Sequence, residues 1–170
     1  MRARRAAVWA LVLAVLAGAV VIGLSDSRSG APLRAPALPG ETLAGPRVTL
    51  AGLEAGAGRR GALIVFWASW CGPCAREAPA IERFAASPQG RGRLIGVDWS
   101  DPNIREARAF IRRYHWTFSN LRDAEGLVGN DYRLTGLPST YVLDGHGRIH
   151  AILRGPQDAQ SLERALRAVA

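Results

Sequence analysis

A run of six apolar residues, ALIVFW at positions 62–67, opens four residues later onto Cys71-Gly72-Pro73-Cys74. An unbroken apolar run of that length, without alternation, is what a strand buried on both faces requires. Strands of this kind belong to sheets covered by helices on either side. The residues that follow, Cys74 to Ala86, carry a helical pattern. The strand therefore passes directly into a dithiol, and the dithiol into a helix.

That placement dictates a chemistry. Two cysteines separated by two residues at a helix start can close a small disulfide ring. Cys71 falls where unpaired backbone N–H groups and the helix dipole favour an anion, so its thiol pKa should be lowered. Pro73 lacks an N–H and presets φ, which suits the first helical turn. Cys74 lies one turn further in, less exposed and placed to attack a mixed disulfide formed at Cys71. Two other uses of C-x-x-C stay open. One is half of a zinc site, but a closed site needs four ligands. The chain has only two cysteines, and His115, His146 and His150 form no ligand pair at helical spacing. The other is a plain structural staple, for which so small a loop offers little stabilisation. Neither a metal nor a cofactor is assigned.

Elsewhere the chain divides into three parts. Arg2, Arg4 and Arg5 precede an uncharged run from Ala6 to Leu24, close to the ~20 residues of a membrane helix. Basic residues before the run keep the N-terminus in the cytoplasm and send the rest across the membrane. Residues 1–24 are thus expected to be a signal anchor. Cleavage at Ala17-Gly18-Ala19 is the competing reading, and it too exports the domain. Residues 25–46, with Pro32, Pro36, Pro39 and Pro46, are expected to form a flexible spacer. Residues 47–170 are the expected folded domain, and roughly 120 residues can build a core without disulfide staples.

Within that domain, 93–98 reads as a second strand. Asp101-Pro102 reads as an N-cap with Pro at the first helical position. Ala107, Phe110, Ile111 and Tyr114 then repeat at helical spacing. A short strand is expected over 117–121 and a short helix over 125–134. The segments 139–143 and 148–153 flank Asp144-Gly145-His146-Gly147, a hairpin turn signature. Leu162, Ala165, Leu166 and Val169 are the stripe of a last helix. The order predicts an α/β domain, a central mixed sheet flanked by helices.

The net charge of +8 comes entirely from Arg, since the chain has no Lys. Basic proteins often meet nucleic acid or anionic membranes. Here the Arg residues beyond the N-terminus are scattered, with no stripe of Arg and aromatics, and nucleic acid is not an expected partner.

WCGPC after an apolar strand, with Gly136-Leu137-Pro138-Ser139-Thr140 later in the chain, resembles the thioredoxin superfamily. More narrowly the chain is similar to the TlpA/ResA-like family of membrane-tethered extracytoplasmic thiol–disulfide oxidoreductases. The features behind this are Cys74-Ala75-Arg76-Glu77-Ala78-Pro79, the insertion from about Ser100 to Arg122, and GLPSTYVLDGHGRI. The resemblance covers about residues 47–170 and implies a thioredoxin-like fold. It makes Cys71 the attacking, solvent-facing cysteine and Cys74 the resolving one. It implies a cis peptide before Pro138, leaving the Leu137 backbone free to bond a substrate strand. Trp70, Gly72 and Pro73 then belong to the surface that receives substrate. Glu77 matches the family's active-site glutamate, which can take a proton from Cys74 or tune it; a solvated helix carboxylate is the alternative. The resemblance breaks down at Val65, where ordinary thioredoxin carries a buried Asp. That leaves Glu77, or water, as the obvious base.

The function implied is disulfide reduction outside the cytoplasm. The clients implied are proteins carrying disulfides, apocytochrome c or copper-site assembly proteins among them, with electrons from a membrane donor of the CcdA/DsbD type. A monomer is expected. An oxidase or isomerase of exported proteins is the second reading. A copper-binding assembly factor is the third, disfavoured by a cysteine spacing one residue too short and by the lack of any Met beyond Met1.

Overall fold

The structure is a computed structural model that describes residues 33–58 and 60–170. Its centre is the apolar run, which forms β2 (Ala62–Trp67) with all six residues buried. Side chains alternate across a strand, and here both directions are apolar. Leu63, Val65 and Trp67 enter one core, whereas Ala62, Ile64 and Phe66 enter the other.

Five more strands complete one sheet: β1 (Glu41–Ala44), β3 (Leu94–Trp99), β4 (Asn120–Asp123), β5 (Ser139–Leu143) and β6 (Ile149–Arg154). Their spatial order is β1-β4-β3-β2-β5-β6. β2, β3 and β4 are parallel neighbours, while β5 lies antiparallel to β2, β6 to β5 and β1 to β4. The expected mixed sheet is therefore present. The β5–β6 hairpin forms at the expected turn, where the Asp144 carboxylate accepts from the amides of His146 at 2.8 Å and Arg148 at 3.0 Å.

Helices cover both faces. α2 (Gly72–Ala86), α3 (Ile104–Arg113) and α5 (Ala159–Arg167) bury Ile81 and Phe84, Phe110 and Ile111, and Leu162 and Leu166 against the Leu63 face. α1 (Leu50–Gly56) and α4 (Leu127–Asp131) lie over the Ile64 face, which also holds Tyr132 and Tyr141. α1 was not anticipated, because its only fully buried side chain is Leu53 and a lone apolar position has no period.

Three expectations are corrected. The spacer over 25–46 is, from residue 33 onward, part of the folded body. Glu41–Ala44 pairs with β4 as an edge strand, and Leu43 is buried. The amide of Ala35 donates to the Gly147 carbonyl, the amide of Ile149 to the Leu33 carbonyl, and the Tyr132 hydroxyl to the Pro36 carbonyl, each at 2.8 Å. Proline and glycine mark irregular backbone, but irregular backbone still pairs when an open sheet edge offers partners. The second correction is at α3, whose N-cap is Asn103. Its side chain accepts from the amides of Arg105 and Glu106, and Asp101 is engaged elsewhere. The third is of boundaries: the fourth strand runs Asn120–Asp123, not 117–121, and the short helix is confined to Leu127–Asp131. The expected anchor over 1–24 lies outside the described residues, among which no helix is long and apolar enough to cross a membrane.

Candidate active site

β2 ends at Trp67, whose indole is fully buried and donates to the Asn120 side chain at 3.0 Å. The chain then makes a turn over residues 68–71, closed by a hydrogen bond from the Cys71 amide to the Ala68 carbonyl at 3.2 Å. Cys71 is the N-cap of α2, and its sulfur accepts from the Cys74 amide at 3.1 Å. This is the anion-favouring position at a helix start. Pro73 occupies the first turn. Cys71 and Cys74 are joined in a disulfide, their Cα atoms 5.2 Å apart.

The two cysteines differ less in exposure than expected. Cys71 is 4% exposed and Cys74 1%, so in the oxidised form the solvent-facing description of Cys71 is corrected. The accessible neighbours are Gly72 and Trp70, the latter 56% exposed. Arg76 is also exposed. Behind the thiols lies an apolar wall that includes Val65, Ala68 and Ala78.

Pairing of Phe66 with Ser139 brings the start of β5 to the end of β2 from which the dithiol loop departs. Leu137 and Pro138 immediately precede β5, and the peptide between them is cis. Leu137 is half-buried and Pro138 buried. No backbone hydrogen bond of Leu137 forms among the described residues. The Pro138 carbonyl accepts from the Gly155 amide at 3.0 Å.

Glu77 is not a solvated carboxylate. It is 3% exposed, one turn beyond Cys74 on α2. Its Oε2 accepts from the Gln157 amide at 2.8 Å. Burial pushes its pKa up to about 7, against the opposing pull of that hydrogen bond. A carboxyl tuned to this range exchanges a proton near neutrality.

Sequence reasoning missed a second buried acidic group on the other side of the dithiol loop. Asp98 of β3 is fully buried, and its Oδ2 accepts from Arg122 at 3.2 Å. Asp101 is 1% exposed and accepts from the Ser69 amide at 2.7 Å and the Asn103 amide at 3.0 Å. Burial and the neighbouring Asp101 charge push Asp98 up to about 8, although Arg122 opposes the shift. Burial works against the Asp101 carboxylate too, but hydrogen bonds from Ser69 and Asn103 outweigh it and hold its pKa below the ordinary value. The signal for Asp98 was available in the sequence, as a charged residue inside the apolar run LIGVDW.

A family model described as the AhpC/TSA family matches residues 33–152. The chain belongs to that family. It is 33% identical over 106 residues to the thioredoxin-like protein YneN of Bacillus subtilis, a match covering 61% of this chain and 62% of the relative. It is 28% identical over 111 residues to the thiol-disulfide oxidoreductase ResA of Geobacillus kaustophilus, covering 65% of this chain and 63% of the relative. Both matches span a little under two thirds of the relatives' own length. Among solved structures, a thiol:disulfide interchange protein DsbE from Chlorobium tepidum superposes with a TM-score of 0.68 at 26% identity, over 81% of this chain and 96% of that one. The fold is thus thioredoxin-like, and ResA and DsbE are named for thiol–disulfide exchange, in keeping with the TlpA/ResA-like resemblance.

Proposed function

We propose that this member of the AhpC/TSA family is a thiol–disulfide oxidoreductase that works as a reductant on the extracytoplasmic side of a membrane. The observation that carries the reading is the Cys71–Cys74 disulfide across the start of α2, with the Cys71 sulfur accepting the Cys74 amide. In the reduced enzyme the Cys71 thiolate attacks a substrate disulfide, one substrate sulfur leaves as a thiolate, and a mixed disulfide forms. Cys74 then gives up its proton and attacks the Cys71 sulfur. The second substrate thiolate leaves, and the enzyme disulfide remains. Two electrons have moved from the dithiol to the substrate.

Glu77, with its pKa near 7, is the acceptor for the Cys74 proton. Leu137, whose backbone has no partner among the described residues beside cis-Pro138, binds a substrate strand, and exposed Trp70 and Gly72 with half-buried Pro73 form the rest of the docking surface. The Gly72-Pro73 dipeptide and Glu77 favour reduction over oxidation. Residues 1–24 anchor the protein, placing the folded body from residue 33 onward outside the cytoplasm. The best-fitting clients are apocytochrome c thiols, which must be reduced before haem attachment, or copper-site assembly proteins. A membrane donor of the CcdA/DsbD type returns the electrons.

The test is the reduction potential, from equilibration with glutathione or dithiothreitol followed by Trp fluorescence. A value at or below roughly −250 mV supports the reductant reading, and one above roughly −180 mV overturns it in favour of a disulfide donor.

A further inference from the structure

Asp98, Asp101 and Arg122 have no part in the exchange just described, yet they are wired to its nucleophile. In the sheet Asp98 lies between Trp67 of β2 and Arg122 of β4. Arg122 donates to the Asp98 carboxyl at 3.2 Å and to the backbone carbonyl of Asp101 at 3.0 Å, with exposed Glu41 of β1 3.9 Å from its Nε. The Asp98 and Asp101 side chains act on each other's titration, raising that of Asp98 and lowering that of Asp101. Asp98 Oδ1 has no donor of its own among the described residues.

The ionised Asp101 accepts from the Ser69 amide at 2.7 Å, and the Ser100 carbonyl accepts from the Trp70 indole at 3.4 Å. Ser69 and Trp70 are the two central residues of the turn that ends in the Cys71 amide. Both are therefore gripped by residues 100–101. Ser100 itself holds a left-handed backbone, φ 50°, a conformation that non-glycine residues avoid unless their surroundings impose it.

We propose that Asp101, braced by the Asp98–Arg122 pair, is a positioning residue for Cys71. It fixes the 68–71 turn and thereby sets the Cys71 sulfur against the amides at the start of α2. This rests on the reading of Cys71 as the attacking thiol. Loss of the Asp101 acceptor frees the Ser69 amide, the turn relaxes, and the thiolate loses its alignment with the helix start.

The experiment compares Asp101→Ala with Asp101→Asn in the full chain. Both remove the charge, but only the second keeps a side-chain oxygen able to accept from Ser69, at the loss of the Asn103 bond, so their difference reports positioning rather than electrostatics. The readout is the pH profile of iodoacetamide alkylation of the reduced protein at Cys71, located by mass. The expected result is alkylation of D101A about fivefold slower than D101N at neutral pH, the worth of about one hydrogen bond, with a higher apparent thiol pKa. Equal profiles in two folded variants overturn the proposal. Should D101A fail to fold, Arg122→Gln takes its place. Slower alkylation than wild type supports the brace, and an unchanged profile overturns it. A wild-type chain whose cysteines do not exchange with dithiothreitol at all overturns the underlying reading, and the proposal with it.

Discussion

At Glu77 the fold spends stability on a poised proton. Its pKa is raised from 4.5 to about 7, so the folded chain favours the neutral acid. The folded state binds more protons than the unfolded state between those two values. Stability therefore falls as pH rises from about 4.5 to about 7 and levels off above. The shift corresponds to roughly 3 kcal/mol. Replacing Glu77 by Gln keeps an acceptor for the Gln157 amide and removes the titration. Urea unfolding of the oxidised protein at pH 5 and pH 8 should show wild type losing stability relative to E77Q by up to that amount. A constant difference between the two proteins across this range would show that the carboxyl is not held neutral by the fold. Glu77 itself was legible through the resemblance, as the match to the family's active-site glutamate, but its burial was not. The loop that covers it contributes a backbone amide, and a backbone amide has no sequence signature. Asp101 was misread for a related reason: an Asp before Pro fits a helix cap, and only the returning 69–70 turn shows which amide it serves.

Among the elements, β2 and α2 were readable because one unbroken apolar run and one C-x-x-C at a helix start leave few arrangements open. The β5–β6 hairpin was readable from its Asp-Gly turn. β3 shows what periodicity omits. Its Gly96 faces Asn120, and a Cβ there would collide with the amide oxygen that accepts the Trp67 indole. Gly96 is thus required by the close approach of a neighbouring side chain. Gly96→Ala should push Asn120 aside, orphan the buried indole N–H, and cost about 1–3 kcal/mol. Chemical denaturation measures the cost, and a change in the Trp emission spectrum reports the lost bond. An unchanged midpoint would mean that the strand shifts to accept the methyl group.

For the whole molecule the segment 33–46 changes where the folded body begins. Composition hid it, because proline and glycine punctuate it and its few buried residues, Ala35, Pro39 and Leu43, are too sparse to mark a strand or a helix face. It closes the β4 edge at one side of the sheet and meets the β5–β6 hairpin at the other. A chain starting at residue 47 should be less stable than one starting at residue 33 by about 3 kcal/mol or more, from the lost Leu43 burial and several backbone hydrogen bonds. Equal urea midpoints for the two chains would return the segment to the role of a spacer.

The Glu77 carboxylate grips the Gln157 amide, and two residues back the Gly155 amide grips the Pro138 carbonyl. Glu77 and Pro138 are in this sense held at opposite ends of one strut, residues 155–157. Gly155 holds φ 78°, so even an alanine there bends the strut. Glu77→Ala and Gly155→Ala should therefore fail to add in a double-mutant cycle on stability, with an interaction energy of at least about 0.5 kcal/mol. Additive costs would leave the two ends independent. With the strut intact, a strand pressed against Pro138 and a proton arriving at Glu77 bear on the same three residues.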